Sequence, residues 1–375
     1  NPDGVLFGHG ARVDVASLVA GSMRMLDSDF LAGRYRLSAP EALAGSVVNQ
    51  GLLTSRFGGQ ILLVGGSEVR NEGSINAPGG HAGLVAGRSV ELVDTGLPNL
   101  AVKVTVPDHK AEVTNLGRLA TPGGRIDIYA GIVNQQGLLE AQSLSVGERG
   151  EIVLQASDTL MLQAGSRTDA SGQGKAQGGR IDLSAPQIGL VGDAQVDASG
   201  ATGGGIRIGG GLRGQEADIT HARALFMGEQ ARVNADGRDG DGGRIVLWSD
   251  QVTRGHGHLS ARGGLLGQGG FIEVSSKGVL DWGGSADLRV ADLNPARACV
   301  HLPRPWPGGV KPDHDPADER PLDARTLRAV SVPPAGTLAR LRELPEGAPL
   351  ILWMDVPHVL YRGSVPLGAL GELRA

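Results

Sequence analysis

Apolar and polar residues alternate along this chain in short bursts. In Gly123-Gly124-Arg125-Ile126-Asp127-Ile128 the two isoleucines fall on one side and Asp127 on the other. The beat returns as Ile181-Asp182-Leu183, Ile206-Arg207-Ile208, Ile245-Val246-Leu247 and Ile272-Glu273-Val274, each shortly after a glycine pair. Alternation over roughly three to five residues is too short for an amphipathic helix and fits a strand with one buried face. A second unit precedes many of these. It appears as Val48-Asn49-Gln50-Gly51, Val69-Arg70-Asn71-Glu72-Gly73, Val113-Thr114-Asn115-Leu116-Gly117 and Val133-Asn134-Gln135-Gln136-Gly137. A third form carries alanine, as Val196-Asp197-Ala198-Ser199-Gly200 and Val233-Asn234-Ala235-Asp236-Gly237.

A strand this short cannot bury its apolar face alone, but stacked coils join such faces into one core. The pattern predicts an all-β fold: a right-handed parallel β-helix over residues 5 to about 290. The shorter repeat spacings suit coils of roughly 20 residues. About a dozen coils at ~4.8 Å each give a rod near 60 Å. A β-propeller would carry longer blades and more aromatics, and a β-sandwich needs no repeating glycine pair. No series of calcium-binding nonapeptides is present.

Composition sharpens this picture. Glycine supplies 61 of 375 residues and aromatics only 3%. The formal net charge of -5 argues against a nucleic-acid partner. No apolar run approaches the ~18 residues of a transmembrane helix. A single cysteine, Cys299, excludes an internal disulfide framework and a cysteine-rich zinc site. Residues 1–294 hold 54 glycines and 7 prolines, whereas residues 295–375 hold 7 and 13. Proline is poorly tolerated inside sheets, so the glycine-dependent fold is expected to end near Asn294. Beyond it we expect an irregular proline-rich tail. Residues 302–321 read as a linker, Leu338 to Leu344 as a short helix and Pro349 to Met354 as one strand.

Candidate chemistry is sparse. Asp127, Asp182 and Glu273 occupy corresponding outward positions, interrupted by Arg207 and Val246. β-Helical polysaccharide lyases and glycoside hydrolases place acids on one outer face, and glycosidase carboxyls stand about 5–9.5 Å apart. Solvated strand faces are the reading preferred here, so no catalytic residue is assigned. His256 and His258 alternate on one side of a segment, but no third ligand follows, so no metal site is assigned. His301 and His314 lie in the tail, and Cys299 reads as a free thiol. No phosphate-binding loop occurs, and no cofactor is expected. Asn49, Asn71, Asn115, Asn134 and Asn234 are candidates for a ladder at equivalent coil corners, satisfying buried turn amides. Trp248, Trp282, Trp306 and Trp353 are dispersed.

The opening Asn1-Pro2-Asp3-Gly4-Val5-Leu6-Phe7-Gly8 resembles the NPNGVLFG motif of filamentous haemagglutinin-like exoproteins, the adhesins of bacterial two-partner secretion. Asp3 replaces the usual asparagine. Ala11 to Val15, Leu18 to Ala20 and Asp29-Phe30-Leu31-Ala32-Gly33 resemble the next elements. Gly243-Arg244-Ile245-Val246-Leu247-Trp248-Ser249-Asp250 and Gly269 to Ser275 resemble later coils, so the likeness covers roughly residues 1–290. The resemblance implies a secreted or surface-exposed rod, recognised by a dedicated outer-membrane β-barrel transporter and folding outside the cell. It divides the chain into residues 1–150, the remainder of a secretion-type domain with first coils, 151–294, continued stalk, and 295–375, linker and tail. It also implies that a leader and earlier coils precede Asn1, so this segment alone is not expected to be exported efficiently. The reading is a non-catalytic adhesin scaffold; the alternative is a β-helical polysaccharide lyase or glycoside hydrolase.

Overall fold

The computed structural model describes residues 1–39, 45–93, 101–106, 110–264, 267–289, 297–301, 349–355 and 358–364. Over that range the repeat builds a parallel β-helix whose coils each contribute three strands in fixed order. A glycine-pair strand such as Gln60–Gly65 leads to an asparagine strand, Glu68–Asn71. A short strand, Ser74–Asn76, follows, and the next coil restarts at His81–Ala86. Each strand pairs in parallel with its counterpart one coil away. Ile61 faces Ala82, Val47 faces Val69 and Leu53 faces Ile75. In Arg125–Gln135 and Glu151–Leu162 the first two strands run on as one, with a register shift between Ala130 and Ile132.

The coil period is 22 residues from Asn49 to Asn71 and 20 from Asn115 to Gln135, but 44 between Asn71 and Asn115. That long step carries an excursion that adds no rung. Among the described residues the short-strand sheet has ten strands, which at ~4.8 Å per rung span about 43 Å. The glycine-pair sheet runs further, through Arg297–His301 and Pro349–Asp355.

The core runs without a break along the axis. Ile61, Leu63, Leu84, Ile126, Ile128, Ile152, Leu154, Ile181 and Leu183 are fully buried in one cluster with Val69, Val113 and Leu139 from the other two faces. Residue 150 does not interrupt it, since Ile126 and Ile128 pair with Ile152 and Leu154.

The glycine pairs serve close approach more than turning. The first glycine of the early pairs does adopt positive φ, as at Gly58 (φ 76°) and Gly79 (φ 59°). The second does not: a Cβ on Gly80 would overlap the Gly59 carbonyl oxygen, one on Gly124 that of Gly80, and one on Gly179 that of Gly150. Successive coils therefore touch backbone to backbone along a glycine column, a contact only glycine permits.

Two excursions cover the outside of the glycine-pair sheet. The strands Arg24–Met25, Tyr35–Ser38, Ser89–Val93 and Ala101–Val106 form an antiparallel sheet. Its Met23, Leu37, Val90 and Leu92 bury Leu62, Val64 and Val85 from outside. Further on, residues 209–223 leave the coil as a loop. The glycine-rich fold also extends past the composition break. Arg297–His301 continues the parallel sheet beside Phe271–Ser276. Pro349–Asp355, expected as a strand, pairs with it and, antiparallel, with His358–Ser364. Residues 302–348, with the expected linker, helix, Trp306 and His314, lie outside the described residues.

Candidate functional site

The outward face of the glycine-pair sheet holds the acids singled out from sequence. Asp127, Val153, Asp182, Arg207, Val246 and Glu273 are successive partners across the rungs. Asp127 and Asp182 stand two rungs apart, about 9.6 Å, and Glu273 lies three further on, about 14 Å. The column is as expected, but its environment is not. These acids are not solvated: Asp127 is 4%, Asp182 7% and Glu273 2% exposed. A buried carboxylate demands partners, and each has them.

Asp127 sits in a closed cluster. Arg125 Nε donates to Asp127 at 2.8 and 2.9 Å, and its Nη1 donates to Glu151 at 2.6 Å. His81 Nε2 lies 2.8 Å from Asp127 Oδ2, while His81 Nδ1 meets Gln60 Nε2 at 2.6 Å. With Gln60 donating, Nδ1 accepts, which leaves the proton on Nε2 beside the carboxylate. Burial alone would raise the Asp127 carboxyl. Hydrogen bonds from His81 and Arg125 outweigh it and hold the group below its ordinary value. Burial, with the Asp127 charge adding to it, pushes the Tyr129 phenol up to about 12.

The other two acids lie beside the loop. Arg207 grips Asp182 with two bonds, 2.7 and 2.9 Å, and Arg180 Nε reaches it at 2.7 Å. Glu273 accepts the Arg213 backbone N–H on both oxygens at 3.2 Å and the Ser275 hydroxyl at 2.6 Å. All three carboxylates are thus buried and engaged by the chain's own donors. Burial, with the Glu151, Asp218 and Glu216 charges adding to it, pushes the Asp182 carboxyl up to about 7; a glycosidase pair differs in keeping both carboxyls within reach of a sugar.

Other sequence candidates are placed separately. His258 Nδ1 meets Ser285 Oγ at 2.7 Å, and the His256 and His258 backbone N–H groups bond to the preceding coil. Both histidine side chains are exposed. Trp248 is buried on the glycine-pair sheet, whereas Trp282 ends the asparagine-strand column opposite Gly255. Cys299 takes the rung after Glu273, and Trp353 pairs with His301; their side chains lie outside the described residues. Among the described residues no helix is long and apolar enough to cross a membrane.

Inside the helix, the expected ladder exists with a different membership. Asn49 Nδ2 donates to Asn71 Oδ1, Asn71 Nδ2 to Asn115 Oδ1, and Asn115 Nδ2 to Gln135 Oε1, each at 2.8 Å. Gln135 Nε2 closes the series on the Gly137 and Arg167 carbonyls. At the other end, Asn49 Oδ1 accepts the Gly51 N–H at 3.1 Å. All four side chains are fully buried. Asn134 is not a member: it points outward and donates to Glu112. Asn234 belongs to the short-strand sheet, between Asp197 and Ser260. Counting two residues on from each inward valine selects Asn71, Asn115 and Gln135, so position in the strand, rather than asparagine itself, carries the signal. Beyond Gln135 the column turns apolar, with Leu162, Leu190 and Met227.

No family model and no curated protein matches the chain. Among solved structures, the chain is similar to the crystal structure of the HMW1 secretion domain from Haemophilus influenzae. The two are 26% identical with a TM-score of 0.68, over 77% of this chain and 78% of that one.

Proposed function

We propose that this chain is the secretion-linked scaffold and stalk of a bacterial adhesin, secreted or held at the cell surface. In this reading the adhesin is a member of the filamentous haemagglutinin-like family and leaves the cell by two-partner secretion, through an outer-membrane β-barrel transporter. The observation that carries the reading is the likeness to the HMW1 secretion domain over 77% of the chain. The Asn1-Pro2-Asp3-Gly4 opening and the coil motifs point the same way. Residues 1–150 complete the secretion-type region, 151–294 continue as stalk, and 295–375 form linker and tail. A core that crosses residue 150 unbroken suits a stalk grown from the same coil.

The scaffold is proposed to be non-catalytic. Its outward acids are buried in ion pairs and hydrogen bonds, which supports this assignment over the polysaccharide-cleaving alternative. Sparse aromatics also speak against a concentrated protein-binding hot spot here, since such spots favour Trp, Tyr and Arg. Receptor binding is assigned to another part of the parent protein.

The test compares host-cell and sibling-cell attachment by three strains: full gene, whole-gene deletion, and deletion outside this segment. The proposal expects the last two to lose attachment alike. In parallel, the purified chain is incubated with pectins, glucans and glycosaminoglycans. Turnover abolished by Asp127→Asn or Asp182→Asn would overturn the scaffold assignment.

A further inference from the structure

Residues 209–223 form a loop whose two ends meet. Ala222 N donates to Gly209 O at 2.8 Å. Both ends are also fastened into the coil: Gly209 N bonds to Leu183 O, and Asp250 N bonds to Ala222 O. The insertion therefore leaves and re-enters the helix at one point without disturbing register, as a compact surface loop does.

Its interior residues reach four successive rungs. Asp218 pairs with Arg180 at 3.2 Å and with Arg207 at 2.9 Å. Glu216 pairs with Arg207 at 2.8 Å and lies 3.8 Å from Arg244. The Trp248 ring fills the space that side chains at Gly210 and Gly214 would need, and the His221 ring stands 5.9 Å from it. Arg213, with φ 55°, is the only non-glycine residue of positive φ among the described residues. That conformation is disfavoured for a side-chain-bearing residue; here it accompanies the Arg213 N–H bond to Glu273. In strand register, Arg180, Gly205, Arg244 and Phe271 are consecutive partners. The first and last of these rungs are about 14 Å apart.

A solenoid couples each coil only to its neighbours, so its ends can open one coil at a time. We infer that loop 209–223 is a staple that binds rungs 180, 205, 244 and 271 into one cooperative block. The inference goes beyond the proposed function and does not depend on it. Burial of the charged partners makes the bonds strong: Arg207 and Glu273 are both enclosed beneath the loop. Opening the outermost of these rungs must break the Arg213–Glu273 contact, and opening the innermost must break the Asp218–Arg180 pair, so both draw on the same loop.

The experiment is native-state hydrogen exchange on the full chain, reading peptides over 180–184, 271–276 and 60–65. In a second protein, residues 210–221 are replaced by Asn-Gly. The staple predicts that, in the parent, 180–184 and 271–276 exchange through one shared opening. In the excised chain, 271–276 exchanges at least about tenfold faster, as expected for losing one charged hydrogen-bond network, while 60–65 is unchanged. Equal exchange within about twofold at 271–276, or separate openings already in the parent, would overturn the inference. Should the excised chain fail to fold, the double substitution Glu216→Gln, Asp218→Asn decides. It leaves the loop length intact and is expected to split the shared opening; a parent-like shared opening would sink the staple.

Discussion

A carboxamide is both donor and acceptor, so a column of them passes a hydrogen bond from rung to rung and leaves no buried group unpaired. Asn71 is the middle of that column. Asn71→Ala strands the Asn49 donor and the Asn115 acceptor and is expected to cost about 2–5 kcal/mol. Asn134→Ala, at the outward neighbouring position, is expected to cost less than about 1 kcal/mol. Denaturant unfolding of the two variants checks the pair. The asparagines were legible in the sequence because they recur after valine. Gln135 was not, because matching by residue type chose Asn134. The buried acids were legible as a column, but not their surroundings, since His81 lies far from Asp127 in sequence and reaches it only through strand register, with Gln60 bonded behind it. One part of the pH response belongs to the cluster of Asp127 with His81, Arg125 and Tyr129. The Asp127 carboxyl is held below its ordinary value, so its contribution is complete above about pH 4 and is lost as pH falls through the lowered value. Urea midpoints at pH 6 and pH 3 are expected to fall further in the parent than in Asp127→Asn.

Strands that read as strict alternation differ from those that do not. Ile126-Asp127-Ile128 turns a polar residue to the outer face, whereas Ile61-Leu62-Leu63-Val64 is apolar throughout. A continuous apolar run requires cover on both faces, and here the antiparallel sheet supplies it over Leu62 and Val64. The run was a readable signal for an external layer. The layer's own strands were not, because they occur once and share no repeat. Leu62→Ala is expected to cost about 2–5 kcal/mol, although Leu62 points away from the main core. Leu6, at an outward position of the first rung and 66% exposed, is expected to tolerate alanine within about 0.5 kcal/mol. Thermal melts of both variants distinguish a covered outer face from a bare one.

For the whole molecule, repetition made the architecture legible and also limited the reading. Glycine pairs and inward aliphatics recur in each coil, so the parallel β-helix followed from the chain alone. Features that break the repeat, the individual strands of the antiparallel sheet, the loop at 209–223 and the strands Arg297–His301 and His358–Ser364, had no pattern to announce them. The first two rest on the outside of the solenoid and leave its core continuous, which suits the proposed stalk. The most direct measurement of that role is export of the parent protein in its own host, with and without the cognate outer-membrane transporter. Surface proteolysis and antibody labelling of this segment on intact cells provide the readout. Surface or culture-medium protein is expected when the transporter is present, and retention inside the cell envelope when its gene is deleted. Undiminished surface display in the transporter deletion would contradict it.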